Sequence, residues 1–405
     1  MSTFPTLRLR RAGSILDLPW ELPLADWPSS LGFRTLPVGP SRHLVRFLVV
    51  DGDLIALKEE PSEVAEREYS VLGHLERVAL PAVTPIGIAQ HQAADAAILV
   101  TEYLKSSLQF RRLLSRFPLG PGAYRDRLLD AMAWLLVDLH RGGVFWGDCS
   151  LANTLFRRDG DRIQAYLVDA ETSEVHPSLS DGQRAYDLEI LVENVGYGLA
   201  DVALLQDRPE DLDGAVEAAE KVRERYEAIW RELNLEPKLP AGDRHAIRSQ
   251  LRRLNELGFA VDEIEVVPAD GESTVRLRVT TTNRAFHAHE LERLTGIKAL
   301  EGQARLLLND LREHVAWLRL HSRRRIGEEA GARRWRRDVF EPALRRLRPV
   351  VGDRDPIQAY CDVLEHKWLL SERAGRDVGL DAAMDAYLAE GAPAPELPAP
   401  ELPIA

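Results

Sequence analysis

Cysteine is scarce in this chain of 405 residues: there are two, Cys149 and Cys361, far apart in sequence. That excludes a disulfide scaffold and points to a reducing compartment. No apolar run is long enough to span a bilayer, and the longest candidates, such as AMAWLLVDL, read as amphipathic helix. The first twenty residues are partly basic but hold no continuous apolar stretch, so no secretory signal is expected and a cytoplasmic protein is. An excess of positive charge is also missing. The formal charge is −12, which disfavours a general nucleic-acid binder. There is no internal repeat.

What is present fits a soluble globular chain too long for one typical core, so two domains are the default expectation. Basic charge is concentrated in one place. From Arg319 to Arg348 eleven arginines stand against four acids, Glu328, Glu329, Asp338 and Glu341. Such a run is commonly a solvated helical face, and it could also meet an anionic partner.

Residues 1–30 read as an extended arm with Trp20 and Trp27 as anchors. A β-rich block follows at 31–101. FRTLPV, HLVRFLVV and LIALKEE read as strands, with DGD as a hairpin turn. SEVAEREYSVLGHLERV then changes to helical period. Residues 102–237 are mostly helical, beginning with SSLQFRRLLSRF and closing one helix at Gly142–Gly143. NTLFRRDGDRIQAYLVDAE reads as a hairpin around RDGD. Pro and Gly accumulate near NLEPKLPAGD, which sets a boundary before a mainly helical domain at 238–390 that contains one hairpin. Trp317, Trp335 and Trp368 are assigned there to core, and FHAHE (His287, His289, Glu290) to polar surface. A Pro/Ala-rich tail, 391–405, is expected to be disordered. The fold class is α+β.

Several residues stand out for their order along the chain. Lys58 lies on the third strand, in LIALKEE. Glu68 follows on the helix, four before Leu72 and seven before Leu75, with Glu66 as its rival. LVTEYL carries Glu102 and Tyr103. FWGDCSLANTLF holds Asp148 and Asn153, five positions apart, and YLVDAE holds Asp169. RAYDLEIL adds Asp187. Each alone has a plain explanation: a solvated strand lysine, a turn Asp, a capping Asn.

Together this order resembles the protein-kinase-like superfamily over roughly residues 34–235. The resemblance implies a two-lobed fold with a β-rich N-lobe and a helical C-lobe. It also implies ATP and Mg²⁺ as cofactors. Lys58, paired with Glu68, would hold phosphates, and Gly39 would lie in the loop above them. The backbone near Glu102 and Tyr103 would meet adenine. Asp148 would position the attacking hydroxyl, and Asn153 and Asp169 would hold metal through hard oxygen ligands. Asp187 would support the catalytic loop from below.

Only eighteen positions separate Asp169 from Asp187. That is little room for an activation segment, so the resemblance is to the small-molecule and lipopolysaccharide-kinase-like branch. The whole chain resembles a family of unknown function carrying that label. The implied reaction is phosphoryl transfer to a hydroxyl of a small molecule, such as a sugar or glycolipid headgroup. The pattern departs from the superfamily at VGPSRH, which has the single glycine Gly39 with Ser41 and Arg42 beside it. It departs again at Trp146, at Ser150 and at Glu171, which follows Asp169-Ala170 where a glycine is usual. A catalytically silent nucleotide-binding scaffold is the alternative use of the same fold.

Overall fold

The computed structural model describes residues 6–36, 42–91, 95–110, 113, 123–234, 238–240, 249, 252–255, 257–268, 274–321, 326–352 and 354–393. The chain divides into two compact units. One comprises Met1–Arg157 and Gln164–Glu232, the other Arg158–Ile163 and Leu233–Ala405.

The first unit begins with a five-stranded antiparallel sheet in the order β1-β4-β5-β3-β2. Its strands are β1 (Thr6–Leu9), β2 (Leu44–Val50), β3 (Asp53–Pro61), β4 (Pro85–His91) and β5 (Ala96–Glu102). Asp51 and Gly52 join β2 to β3 with φ of 52° and 89°. Positive φ at both central residues gives the tight hairpin whose twist matches its strands. The alternation of β3 then sorts its side chains. Ile55 and Leu57 go to a core shared with Trp20, Trp27, Leu24 and Leu48, so the N-terminal arm covers this face of the sheet. Lys58 and Glu60 go to the other face. Helix α1 (Ser62–Arg77) packs there, burying Ala65, Glu68, Val71, Leu72 and Leu75. Glu68 is thus a carboxylate inside an apolar stripe.

The helical part of this unit is built on α2 (Ala123–Arg141), α3 (Asp181–Leu205) and α4 (Leu212–Leu233). Helix α3 opens on a capping box between Ser180 and Gln183. Between α2 and α3 run β7 (Val144–Phe145), β8 (Thr154–Asp159), β9 (Arg162–Leu167) and β10 (Glu174–Val175). Two local expectations change. SSLQF begins as strand β6 (Ser107–Gln109), paired with β8. In FRTLPV only an isolated bridge from Arg34 to Phe47 forms within the described residues.

The second unit contains a three-stranded sheet of β11 (Lys238–Pro240), β12 (Phe259–Pro268) and β13 (Thr274–Arg284), in the order β11-β13-β12. Its helices with described bounds include α5 (Phe286–Thr295), α6 (Glu301–His321), α7 (Glu328–Trp335), α8 (Glu341–Val351), α9 (Pro356–Ala374) and α10 (Leu380–Ala389). They share one core, including Leu307, Leu311, Trp335, Phe340 and Tyr360. Trp335 is core, whereas Trp317 and Trp368 are 54% and 61% exposed. Trp317 follows the buried Val315 by two positions, about 200° around the helix, and so leaves the buried stripe. His287 departs from expectation in the other direction. It is buried, because the Glu301 carboxylate takes hydrogen bonds from the His287 and Ala288 amides, both 3.0 Å, and caps α5 from outside.

Asp310 Oδ2 accepts from both Trp335 Nε1 and Tyr360 Oη, each at 2.7 Å. Both rings are fully buried. Removing the acceptor strands two buried donors, at roughly 1–3 kcal/mol each. Asp310→Ala is therefore expected to lower the stability of this unit by several kcal/mol in chemical denaturation, against under 1 kcal/mol for a change of the exposed Arg345.

Candidate active site

Lys58 is the centre of the site. Its ammonium donates to Glu68 Oε2 at 2.8 Å and to Asp169 Oδ1 at 3.1 Å. It lies 2.9 Å from Glu60 Oε2 and 3.8 Å from Glu171 Oε2. One ammonium thus faces four carboxylates. Burial works against its charge, but Glu68, Asp169 and Glu60 outweigh that and hold it protonated. Burial pushes the Glu68 carboxyl up, against the opposing pull of Lys58. Glu68 Oε1 also accepts from the Ala170 amide at 3.2 Å. The strand, the helix and the Asp169 segment therefore meet at one carboxylate. Glu66, the rival, pairs instead with Arg8 and Gln90.

The loop after α2 supplies Asp148 and Asn153. Asn153 Nδ2 donates to Asp148 Oδ2 at 2.9 Å and to the Asp148 carbonyl at 3.3 Å. Both partners are acceptors, which fixes the amide orientation and turns Asn153 Oδ1 away from them. Asp169 Oδ1 is engaged by Lys58 and by the Glu171 amide. Asp169 Oδ2 and Asn153 Oδ1 accept no hydrogen bond from the described residues. Two hard oxygen donors with this freedom suit Mg²⁺.

Asp187 is wholly buried beneath this loop. It accepts from the Trp146 amide at 2.6 Å and the Gly147 amide at 2.8 Å, while Asn194 Nδ2 donates to the Cys149 carbonyl at 3.0 Å. Helix α3 thus holds the loop backbone at several points. The two departures in the loop have structural explanations. Trp146 is fully buried and fills space, and its carbonyl accepts from Thr172 and Ser173. Ser150 Oγ accepts from the Asn153 amide at 3.2 Å and sets the turn that carries Asn153. Burial pushes the Cys149 thiol well up, which leaves it an inert core residue.

Above the loop lies a cleft of about 170 Å³. Lys58, Glu68, Glu102, Tyr103, Asn153 and Asp169 all line it, together with apolar Val45, Ala56, Leu155 and Val168. Glu102 and Tyr103 contribute backbone whose amides are already engaged, at the Thr84 and Leu54 carbonyls (2.8 and 3.1 Å). Of the residues singled out in the sequence, Lys58, Glu68, Glu102, Tyr103, Asn153 and Asp169 converge on one cleft. Asp148 and Asp187 lie just beneath, and Gly39 falls outside the described residues. Sequence reasoning passed over Glu60, His43 and His140. Strand alternation could have found Glu60, which shares the face of Lys58 two residues on; nothing local marks the other two.

His140 sits beside Asp187, its Nε2 3.1 Å from Asp187 Oδ2 and its Nδ1 2.7 Å from Tyr226 Oη. A neutral ring satisfies both ends: Nε2–H donates to the carboxylate and Nδ1 accepts from the phenol. Burial holds the imidazole below its ordinary value of 6.5, against the opposing pull of Asp187. The unfolded chain therefore takes up a proton at a pH where the folded chain does not. This contribution to stability is full above about pH 6.5 and is lost as pH falls below it, towards the lowered folded value. His140→Gln is expected to flatten the acid side of a stability–pH profile, and an unaltered slope would contradict the assignment.

Residues 53–205 match the model of the lipopolysaccharide kinase (Kdo/WaaP) family, and residues 228–391 match a domain of unknown function (DUF4032). No curated protein matches the chain. Among solved structures, WaaP in complex with acyl carrier protein aligns at 18% identity over 48% of this chain and 90% of that one, with a TM-score of 0.33. The kinase domain of maize SIRK1 (sucrose-induced receptor kinase 1), bound to AMP-PNP, aligns at 15% identity over 55% and 98%, with a TM-score of 0.36. The family match, read with the ordered set from Lys58 to Asp187, places residues 53–205 in the protein-kinase-like superfamily, followed by a DUF4032 domain.

Proposed function

We propose that this protein is an ATP- and Mg²⁺-dependent phosphotransferase whose acceptor is a hydroxyl of a small molecule, in the class of sugars and glycolipid headgroups. The observation that carries the reading is the convergence of Lys58, Glu68, Asn153 and Asp169 on one cleft, with Asp148 bonded to Asn153 at the loop below. The acceptor class rests on the lipopolysaccharide kinase match. Two buried, unpaired cysteines suit a cytoplasmic setting, and among the described residues no helix is long and apolar enough to cross a membrane.

In this reading the apolar walls of the cleft take the purine, whose edge meets backbone between Glu102 and Leu104. Lys58 exchanges part of its carboxylate contact for phosphate oxygens, and Glu68 keeps it in place. Asp169 and Asn153 hold Mg²⁺, which supplies charge neutralisation on the phosphates. Asp148 accepts a hydrogen bond from the acceptor hydroxyl and orients its oxygen towards the γ-phosphorus. The new O–P bond forms as the β–γ bridge breaks, ADP leaves, and the hydroxyl proton passes to Asp148 and on to solvent.

A metabolite-extract screen with labelled ATP tests this. The wild type is expected to label an extract component. Asp148→Ala should lose 10²-fold or more of that rate, a size on the order of general acid–base contributions, while ATP–Mg²⁺ still raises the melting temperature. Asp169→Ala should lose both labelling and the Mg²⁺-dependent part of the shift. Stabilisation by ATP without labelling of any extract would reject turnover in favour of the scaffold reading. No stabilisation at saturating ATP would reject both.

A further inference from the structure

Beside the cleft, three side chains that the proposed reaction does not use come together. His43 lies just before β2, Glu60 near the end of β3, and Glu171 two residues past Asp169. One donor atom from each lies within 4.8 Å of the other two. His43 Nε2 and Glu171 Oε2 are 3.0 Å apart. The cluster also holds a buried polar group that its neighbours satisfy only in part. The Glu60 side chain has no solvent exposure, and neither of its oxygens receives an aligned hydrogen bond. Its Oε2 lies 2.9 Å from the Lys58 ammonium, but the aligned bonds of that ammonium go to Glu68 and Asp169.

A buried carboxylate that has only a shared ammonium on one oxygen and nothing on the other is costly unless a further cation compensates it. One lysine cannot compensate four carboxylates. We propose that His43, Glu60 and Glu171 form a binding site for a divalent transition-metal ion, separate from the nucleotide metal held by Asn153 and Asp169. The charges close. Glu60 and Glu171 balance the ion, His43 binds as a neutral imidazole, and Lys58 remains with Glu68 and Asp169. The spacing also closes. Ligand atoms around an ion with bonds near 2.0–2.2 Å are about 3–4.4 Å apart, so side-chain shifts of about half an ångström suffice. The ion would take the place of the hydrogen bond between His43 Nε2 and Glu171 Oε2. One imidazole with two carboxylates selects a metal of the manganese-to-zinc series over Mg²⁺, which takes oxygen ligands.

Mn²⁺ bound to the full-length, metal-stripped protein without nucleotide is the probe, read by pulsed electron paramagnetic resonance. The expected result is a nitrogen coupling from one directly bound imidazole, absent in His43→Gln. Glu60→Gln should weaken Mn²⁺ binding roughly tenfold or more, with unchanged circular dichroism showing that both variants fold. Asp169→Asn separates this site from the nucleotide metal, because it should keep the coupling. No nitrogen coupling in the wild type would overturn the proposal. So would a coupling that survives His43→Gln, or one that disappears in Asp169→Asn, which assigns the ion to the nucleotide-metal position.

Discussion

The ion pair between Lys58 and Glu68 organises the first unit. Glu68 is 1% exposed, and an unpaired carboxylate in such a place would be strongly unfavourable. Its two oxygens are divided between the Lys58 ammonium and the Ala170 amide. Strand β3, helix α1 and the segment carrying Asp169 must therefore be in register for the charge to be compensated. Coupled this way, a fault in the register of any one of them leaves a buried charge bare. The rest of the cleft follows from that arrangement, because Asp169 is adjacent to Ala170.

A second fixed point lies beneath the loop that carries Asp148 and Asn153. Asp187 gathers two backbone amides and one imidazole around a single buried carboxylate. It does in the helical half what Glu68 does in the sheet half: a buried acid is tolerated because the folded chain supplies several donors to it. Trp146 and Ser150 look like departures from a reactive loop when read along the sequence. In space one is filler and the other a turn-former, and neither aims a functional group into the cleft. The loop backbone is held by Asp187, Asn194 and Ser150, so the side chain of Trp146, two positions before Asp148, can serve packing alone.

Part of the arginine-rich segment is paired within its own unit. Arg336 pairs with Glu341 and donates to the Thr295 carbonyl, Arg337 pairs with Asp338, and Arg346 reaches Asp381 and Asp385. Arg323, Arg324 and Arg325 lie outside the described residues. Most of these pairs are exposed, and pairs of that kind contribute little individually. They interleave part of the segment with acids, some of them distant in sequence.

The kinase-like order was legible in the sequence because it depends on local chemistry. The Asp-Gly hairpin fixes β2 to β3, strand alternation sets the face of Lys58, and helical period sets the face of Glu68. These are short-range properties that a linear reading can follow. The choice between Glu66 and Glu68 was open to the same reading, since the stripe through Leu72 and Leu75 includes Glu68. Other features depend on which distant segment arrives alongside. Trp317 is aromatic yet exposed, and His287 is polar yet buried against Glu301, because burial is decided by neighbours. His140 meets Asp187 only when α2 and α3 are packed. Glu60 gathers His43 and Glu171 only when the sheet closes over the Asp169 segment. By itself the sequence determined most of the elements, the order of the acids and the lysine, and the class of fold. Only the tertiary structure decided which carboxylates share one ammonium and which of them is least compensated, since compensation of buried charge is a property of three-dimensional proximity.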